Sequence, residues 1–269
     1  MKNRMMILMI AIMFMLLCTV SNAAEKVKRP APLMFDAGVA VSSLMTISDA
    51  YIKSVSDRLE VAAVTEEAAS GNWERIKPLL EKIEEQEKGD AVAWFALPDG
   101  SYYTVDKGLM DKNLSDRAYF PVVLSGKISV GELVVSKSTN QVSAIIAVPV
   151  KKGDSVTGVL GVSLFTRKLS VLINKMMRLP DEAIFYALNK DHITAINKKP
   201  GLVFMDPEAQ GSSSMTMAIK EMLSMEEGIV EYDFHGKRRV AFMKSNYTGW
   251  WYAIGLLEIS NEAKDKRKK

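Results

Sequence analysis

The chain has 269 residues, with 35 Lys and Arg against 32 Asp and Glu, which gives a formal net charge of +3. This near-balance leaves no dense basic face and argues against a nucleic-acid-binding protein. The single cysteine, Cys18, excludes a disulfide framework. Hydrophobic residues make up 48% of the sequence, enough for the core of one large or two small domains.

The N-terminus has the order of an export signal. Lys2 and Arg4 form a basic start, residues 5–17 are apolar, and a small-residue cleavage site ends at Ala23. We therefore predict a signal peptide over residues 1–23 and a periplasmic or extracytoplasmic location. The apolar run is shorter than the roughly 20 residues that a membrane span needs. The alternative is an uncleaved N-terminal helix that anchors the protein.

A long helical region is predicted after a charged, proline-containing linker over residues 24–34. Apolar residues recur at helical spacing from Phe35 to Ser70, and Gly71 ends that pattern. A second helix is predicted from Trp73 to Glu87. The chain therefore begins with helices before its first strand.

The middle of the chain predicts an antiparallel sheet with one short helix laid against it. Asp111 begins a polar segment that leads into an amphipathic helix over Arg117–Leu124, with Ser115 or Asp116 as its N-cap. Five β-rich runs surround this helix: Ala91–Leu97, Ser101–Val105, Val130–Lys137, Gln141–Val150 and Val156–Leu164. The helix and the sheet should enclose a small concave site. A further helix over Leu169–Met177 then crosses to the second half.

The second half repeats the first at an offset of about 90 to 97 residues. The aligned pairs are Ala93–Pro98 with Ile184–Asn189, Gly131–Val134 with Gly228–Glu231, and Gly158–Val162 with Trp251–Gly255. The repeat predicts an α+β fold, in which a long N-terminal helix precedes two modules, each an antiparallel sheet with flanking helices. We assign residues 35–178 to the long helix and the first module, residues 179–260 to the second module, and residues 261–269 to a basic tail.

Several motifs in the first module resemble those of the double Cache family. In chain order they are Asp116-Arg117-Ala118-Tyr119-Phe120, Gly126-Lys127, Val134-Val135-Ser136-Lys137-Ser138-Thr139, Ala147-Val148-Pro149-Val150 and Gly158-Val159-Leu160-Gly161-Val162. The resemblance covers everything after about residue 35 and is weaker in the second half. It implies an extracytoplasmic ligand-sensing domain with two PAS-like modules, the first of the membrane-distal and the second of the membrane-proximal type.

Arg117 is the main candidate for ligand binding. A guanidinium offers a rigid fork of donors that suits a carboxylate. The alternative is a structural salt bridge to Asp116 or Asp111. Tyr119 could add a hydroxyl donor or pack in the core.

Aromatic residues on the strands are the next candidates. Trp94 and Tyr102 could line the site, although strand aromatics are usually core residues. Because strand faces alternate, Tyr102 and Tyr103 cannot both face the site.

The resemblance also suggests what kind of ligand binds. Amino-acid-binding members of the family carry a tyrosine, an arginine, a tryptophan-tyrosine pair and an aspartate that holds the ammonium. Here Lys112 stands in place of the tyrosine, Tyr119-Phe120 in place of the pair, and Ser163 in place of the aspartate. Glu132 is the nearby acid that could substitute, unless strand alternation turns it outward. We therefore expect a small carboxylate or other anion without an α-ammonium, bound in the first module and not the second.

No enzyme motif is present. His192 and His235 lie in predicted turns without metal-ligand spacing around them, and no Gly-x-Ser-x-Gly occurs. We predict no catalytic residue, cofactor or metal.

Two functions remain open. The first is a sensor that passes a ligand signal to a separate membrane receptor or kinase partner, with a homodimer through the long helix. The second is a structural or protein-interaction module that uses the same fold without a small ligand.

Overall fold

The computed structural model describes residues 36–210 and 212–257. The predicted signal peptide, linker and basic tail lie outside these ranges. Within them, no helix is both long and apolar enough to cross a lipid bilayer.

Three helices open the described chain: α1 (Ala37–Ala63), α2 (Glu66–Ala69) and α3 (Trp73–Glu87). The bounds of α3 are those predicted from the sequence. The long helix is shorter than predicted, because the Thr65 side chain accepts a hydrogen bond from the Ala68 amide at 3.2 Å and so caps a new helix. Asp36 caps the start of α1 in the same way, through the Val39 amide at 3.0 Å.

The first sheet has six antiparallel strands in the order β3-β2-β1-β6-β5-β4. The strands are β1 (Ala91–Ala96), β2 (Ser101–Thr104), β3 (Gly108–Asn113), β4 (Ser129–Val135), β5 (Val142–Lys152) and β6 (Ser155–Phe165). A short helix, α4 (Tyr119–Leu124), separates β3 from β4. The edge strand β3 was not predicted, because its Asp111-Lys112-Asn113 end has the composition of a loop.

The predicted start of α4 was wrong. Its N-cap is Ala118, which makes no side-chain capping bond. The Ser115 amide instead donates to the Asn113 side chain at 2.7 Å, and Asp116 pairs with Lys137. Both polar residues serve the turn before the helix, and the helix begins beyond them.

The second sheet has five antiparallel strands in the order β8-β7-β11-β10-β9. Its elements, with the crossing helix α5 that precedes it, are α5 (Thr166–Met177), β7 (Ala183–Asn189), β8 (Thr194–Asn197), α6 (Ser213–Leu223), β9 (Glu227–Phe234), β10 (Lys237–Ser245) and β11 (Trp250–Leu257). Without β3, the first sheet has the corresponding order β2-β1-β6-β5-β4. The strands that the sequence repeat aligned therefore occupy equivalent places in the two sheets.

The residue-by-residue alignment of the repeat is nevertheless out of phase by one. It set Trp94 against Phe185. Trp94 lies on the face of its sheet that α4 covers, whereas Phe185 packs in the core with α1. Tyr186, one residue further on, lies on the face that α6 covers. A shift of one residue moves every side chain of a strand to the opposite face of the sheet. The repeat therefore predicted the order of the strands but not the face on which each side chain lies.

One continuous core joins the two sheets. Residues of α1 and α5 pack against the inner faces of both sheets, and those of α3 pack against the first sheet. Between the sheets, the buried Trp250 Nε1 donates to the Gly131 carbonyl at 2.9 Å. Gly131 has a φ of +87°, and a Cβ there would lie 2.8 Å from the Thr248 carbonyl oxygen. A glycine at this bulge therefore allows the two sheets to approach closely.

Candidate ligand sites

The outer face of each sheet is covered by one helix, and a pocket lies beneath each helix. The first pocket lies between the first sheet and the segment that carries α4. It is lined by Trp94, Tyr102, Leu114, Arg117, Tyr119, Val134, Ser136, Lys137, Ser138, Ile145 and Ser163. Five of the six predicted site residues are therefore brought together. The sixth, Glu132, is half-buried on β4 but does not line this pocket.

Arg117 and Lys137 supply the positive charge of the first pocket. Arg117 Nη2 donates to the Val135 carbonyl at 2.7 Å. The predicted alternative, a salt bridge from Arg117 to Asp116 or Asp111, is not formed, and Asp116 instead pairs with Lys137 Nζ at 2.5 Å. Lys137 Nζ also donates to the Asn113 carbonyl at 2.6 Å. Arg117 therefore keeps donors beyond its single backbone bond for an incoming anion.

Two aromatic rings form the floor of the first pocket. Trp94 and Tyr119 are buried, with ring centroids 6.1 Å apart. Trp94 Nε1 donates to the Ser163 hydroxyl at 3.2 Å, so Ser163 serves the tryptophan. A Cβ at Gly161 would lie 2.1 Å from the Trp94 ring, so the absence of a side chain on β6 lets that ring lie across the strand.

Tyrosine hydroxyls add neutral donors. Burial raises the pKa of Tyr119, with Arg117 opposing the shift, and burial raises the pKa of Tyr102 as well. Both phenols therefore stay protonated near neutral pH. The Tyr102 hydroxyl is buried without a well-formed hydrogen bond to the described residues. Tyr103 faces the other side, where it stacks on Trp73 at 5.0 Å, as strand alternation predicted.

The first pocket is closed in this structure. Its volume is about 10 Å³. A cavity needs a volume of ~10–15 Å³ to hold one water molecule. The first pocket therefore has space for about a single water. A larger ligand requires the helix or the rings to move.

The second pocket lies between the second sheet and α6, and its volume is about 70 Å³. It is lined mainly by apolar and methionine side chains: Ile184, Leu188, Leu202, Met205, Pro207, Met215, Ala218, Ile219, Met222 and Phe234. The polar residues of its wall are Tyr186, Thr194, Asn197, Lys199, Tyr232 and Arg239. The sequence patterns had predicted no ligand in this region.

Arg239 is the residue that reasoning from the sequence missed. It lies in a run of three basic residues, Lys237-Arg238-Arg239, which is typical of a solvated hairpin strand. A signal was nevertheless present, because Ala241 and Met243 follow at the two-residue spacing of one strand face. Both are fully buried, so Arg239 points toward the same covered face, whereas Arg238 points to solvent and pairs with Glu231.

No metal centre is formed by the described part of the chain, where no cluster of three or more His, Cys, Asp or Glu side chains occurs. His192 is held in a turn at a φ of +67°, with its Nδ1 against a carboxylate oxygen of Glu208. That pair lies outside both pockets.

Several solved structures with a similar fold are sensory or ligand-binding domains of chemoreceptors. The sensory domain of Campylobacter jejuni Tlp3, with isoleucine bound, is 14% identical, with a TM-score of 0.55 over 84% of this chain and 89% of that one. The ligand-binding domain of PctB from Pseudomonas aeruginosa PAO1, in complex with L-Arg, is 16% identical, with a TM-score of 0.62 over 84% and 93%. For CtaA from Pseudomonas fluorescens with L-isoleucine, the identity is 16% and the TM-score 0.61 over 86% and 92%.

These neighbours are Cache-type sensor domains, and the resemblance found in the sequence is confirmed at the level of a Cache-type fold. The architecture is α+β, with a long N-terminal helix and two antiparallel sheets. No protein-family model and no curated protein matches the sequence.

Proposed function

We propose that this protein is an exported, extracytoplasmic sensor domain that binds a small carboxylate in the first pocket and signals to a separate membrane receptor or kinase. The observation that carries the proposal is the charge of the pocket wall. Arg117 lines it without a salt bridge, Lys137 lines it while paired with Asp116, and none of the described lining residues is an Asp or Glu. The fold supports a binding role and not a catalytic one, since the structural neighbours are sensor domains.

The ligand we propose lacks an α-ammonium. The neighbours were solved with amino acids, whose ammonium needs a partner of opposite charge when it is buried. In this chain Ser163 offers a neutral hydroxyl that already accepts from Trp94, and Glu132 does not line the pocket. A carboxylate, in contrast, would find the free donors of Arg117 and the Tyr102 hydroxyl.

The closed pocket makes binding a conformational event. A ligand larger than a water must displace Tyr119 or Trp94, and we propose that α4, which begins at Tyr119, moves with it. Such a movement is the kind of change that a sensor can transmit. In this proposal the modules retain the boundaries 35–178 and 179–260, and two copies associate through α1.

A second function is favoured by the same small volume. A pocket of about 10 Å³ suits a structural or protein-interaction module that binds no small ligand there. The two functions differ in one measurable property, which is whether any small carboxylate binds at Arg117.

The test is calorimetry of the purified protein with matched ligand pairs, isoleucine and the 2-oxo acid made from it by deamination. We expect the 2-oxo acid to bind and isoleucine to be inert. Arg117→Ala should weaken binding by roughly 1.5–3 kcal/mol, because a charge-assisted bond is lost. The control is Arg167→Ala, which removes an exposed arginine of α5. Tight binding of isoleucine with an inert 2-oxo acid would overturn the ligand type, and no response to any acid would favour the interaction module.

A further inference from the structure

The second pocket contains a half-buried arginine, Arg239, two of whose donors are buried without a partner among the described residues. Arg239 Nε and Nη1 are buried and make no hydrogen bond to any described residue. Unpaired buried donors are rare in folded proteins, because a buried polar group without a hydrogen bond costs free energy. A bound anion would supply both the missing acceptor and the opposite charge.

The other polar groups around Arg239 also favour an anion. Arg239 lies directly opposite Tyr232 in the β9–β10 pairing, and the Tyr186 and Tyr232 rings meet edge to face at 6.4 Å. Burial raises the pKa of both phenols, so both stay protonated, and because the Tyr186 hydroxyl donates to that of Tyr232, the pair has one proton left to donate to a ligand. Lys199 lies at the exposed rim, and no Asp or Glu is among the described residues of the wall.

The remainder of the wall sets the shape of the ligand. Met215, Ile219 and Met222 of α6 face Ile184 and Leu188 of β7 across an apolar space. The volume of about 70 Å³ is several times the ~10–15 Å³ that a cavity needs to hold one water. The second pocket therefore has space for about five heavy atoms. A charged head at Arg239 with a short unbranched tail among the methionines fits this space, and methionine side chains adapt readily to such a tail.

We propose that the second pocket is a separate binding site for a short-chain monocarboxylate, with its carboxylate on Arg239 and its alkyl tail against α6. The site does not depend on the function proposed for the first pocket. The chain would then have two binding sites that both prefer an anion but differ in the shape of the ligand they accept.

The experiment is calorimetry of the purified protein with sodium propionate in Tris chloride. Propionamide and n-propylammonium chloride serve as neutral and cationic analogues of the same shape. We expect propionate alone to bind. Arg239→Gln should weaken binding about tenfold or more, because the charge-assisted bonds are lost. The matched control is Arg238→Gln on the same strand, whose side chain pairs with Glu231 on the surface and which should bind as the unaltered protein does.

A second variant keeps the test informative if Arg239→Gln does not fold. Ala218→Leu keeps the charge and fills the cavity from α6, and it should also abolish the propionate response. Equal binding of propionate and propionamide, no propionate binding at all, or loss of binding in Arg117→Gln with retention in Arg239→Gln would each overturn the proposal. The last outcome would assign propionate to the first pocket and leave the function proposed there intact.

Discussion

The first and second sheets share one strand order, yet their pockets differ in what fills them. Under α4, Trp94 and Tyr119 occupy the space, and Arg117 has a backbone partner in Val135. Under α6, flexible methionines leave a larger cavity, and Arg239 keeps two donors without partners among the described residues. The topology of the sheet therefore determines where a pocket lies, whereas a few side chains determine how much of its volume is filled.

The most direct way to break this difference is to empty the first pocket. Trp94→Ala should lower the free energy of unfolding by about 3–5 kcal/mol, because a fully packed ring is replaced by a cavity. Chemical denaturation would measure the loss. The control, Tyr247→Ala, removes an aromatic ring that is 67% exposed, and its effect should stay within about 0.5 kcal/mol. A loss below about 1 kcal/mol for Trp94→Ala would mean that the ring is not part of a packed floor.

Gly161→Ala tests the same floor from the strand beneath it. The added methyl would collide with the Trp94 ring, so we expect a loss of about 1–3 kcal/mol in the free energy of unfolding. Gly201→Ala is the control, since a Cβ there meets nothing within 4 Å. In a protein that already carries Trp94→Ala, Gly161→Ala should lower the free energy of unfolding by clearly less, because the ring that collides with the methyl is absent. Additive losses would exclude direct contact between the two positions.

The two arginines should respond with opposite signs when each is replaced by methionine. Arg239→Met should raise the free energy of unfolding by about 1 kcal/mol in buffer free of carboxylates, because two buried donors without hydrogen bonds are removed. Arg117→Met should lower it by about 0.5–1.5 kcal/mol, because the bond to Val135 is lost. Denaturation of both variants measures the contrast. Destabilisation by both changes would mean that Arg239 has a structural partner.

The smallest effect is expected at Glu132. Glu132→Gln removes a half-buried carboxylate that does not line the first pocket. We expect a stability change within about 0.5 kcal/mol and an unchanged affinity for the 2-oxo acid of isoleucine. A tenfold change in affinity by calorimetry would show that Glu132 reaches the ligand.

Local patterns in the sequence were sufficient for much of the fold. Residues Trp73–Glu87 carry a helical apolar stripe, and α3 has the same bounds. The repeat aligned strands that are equivalent in the two sheets. Two features depended on pairing and packing that no local pattern contains. The strand β3 is polar and exists because it pairs with β2, and the facing of β7 was off by one residue.

The two sites show the same limit. The order of the motifs in the sequence was enough to predict five residues of the first pocket. These residues lie on adjoining strands and on the segment that covers them. Closure of that pocket could not be predicted, because it depends on the fit of Trp94 over Gly161. Arg239 was missed because a run of three basic residues is typical of a solvent-exposed strand. Its direction is shown by Ala241 and Met243, which lie on the same strand face and are buried.

The position of α1 has a consequence for how the chain can be divided. The inner face of the second sheet, which includes Phe185, Trp250 and Tyr252, is covered by α1 and α5, and both helices precede residue 179. A fragment of residues 179–257 would therefore expose an apolar face and should aggregate. The two sheets should melt together in a single cooperative transition, although each has its own pocket. A chimera that exchanges the second sheet with that of a relative must exchange the facing side of α1 as well.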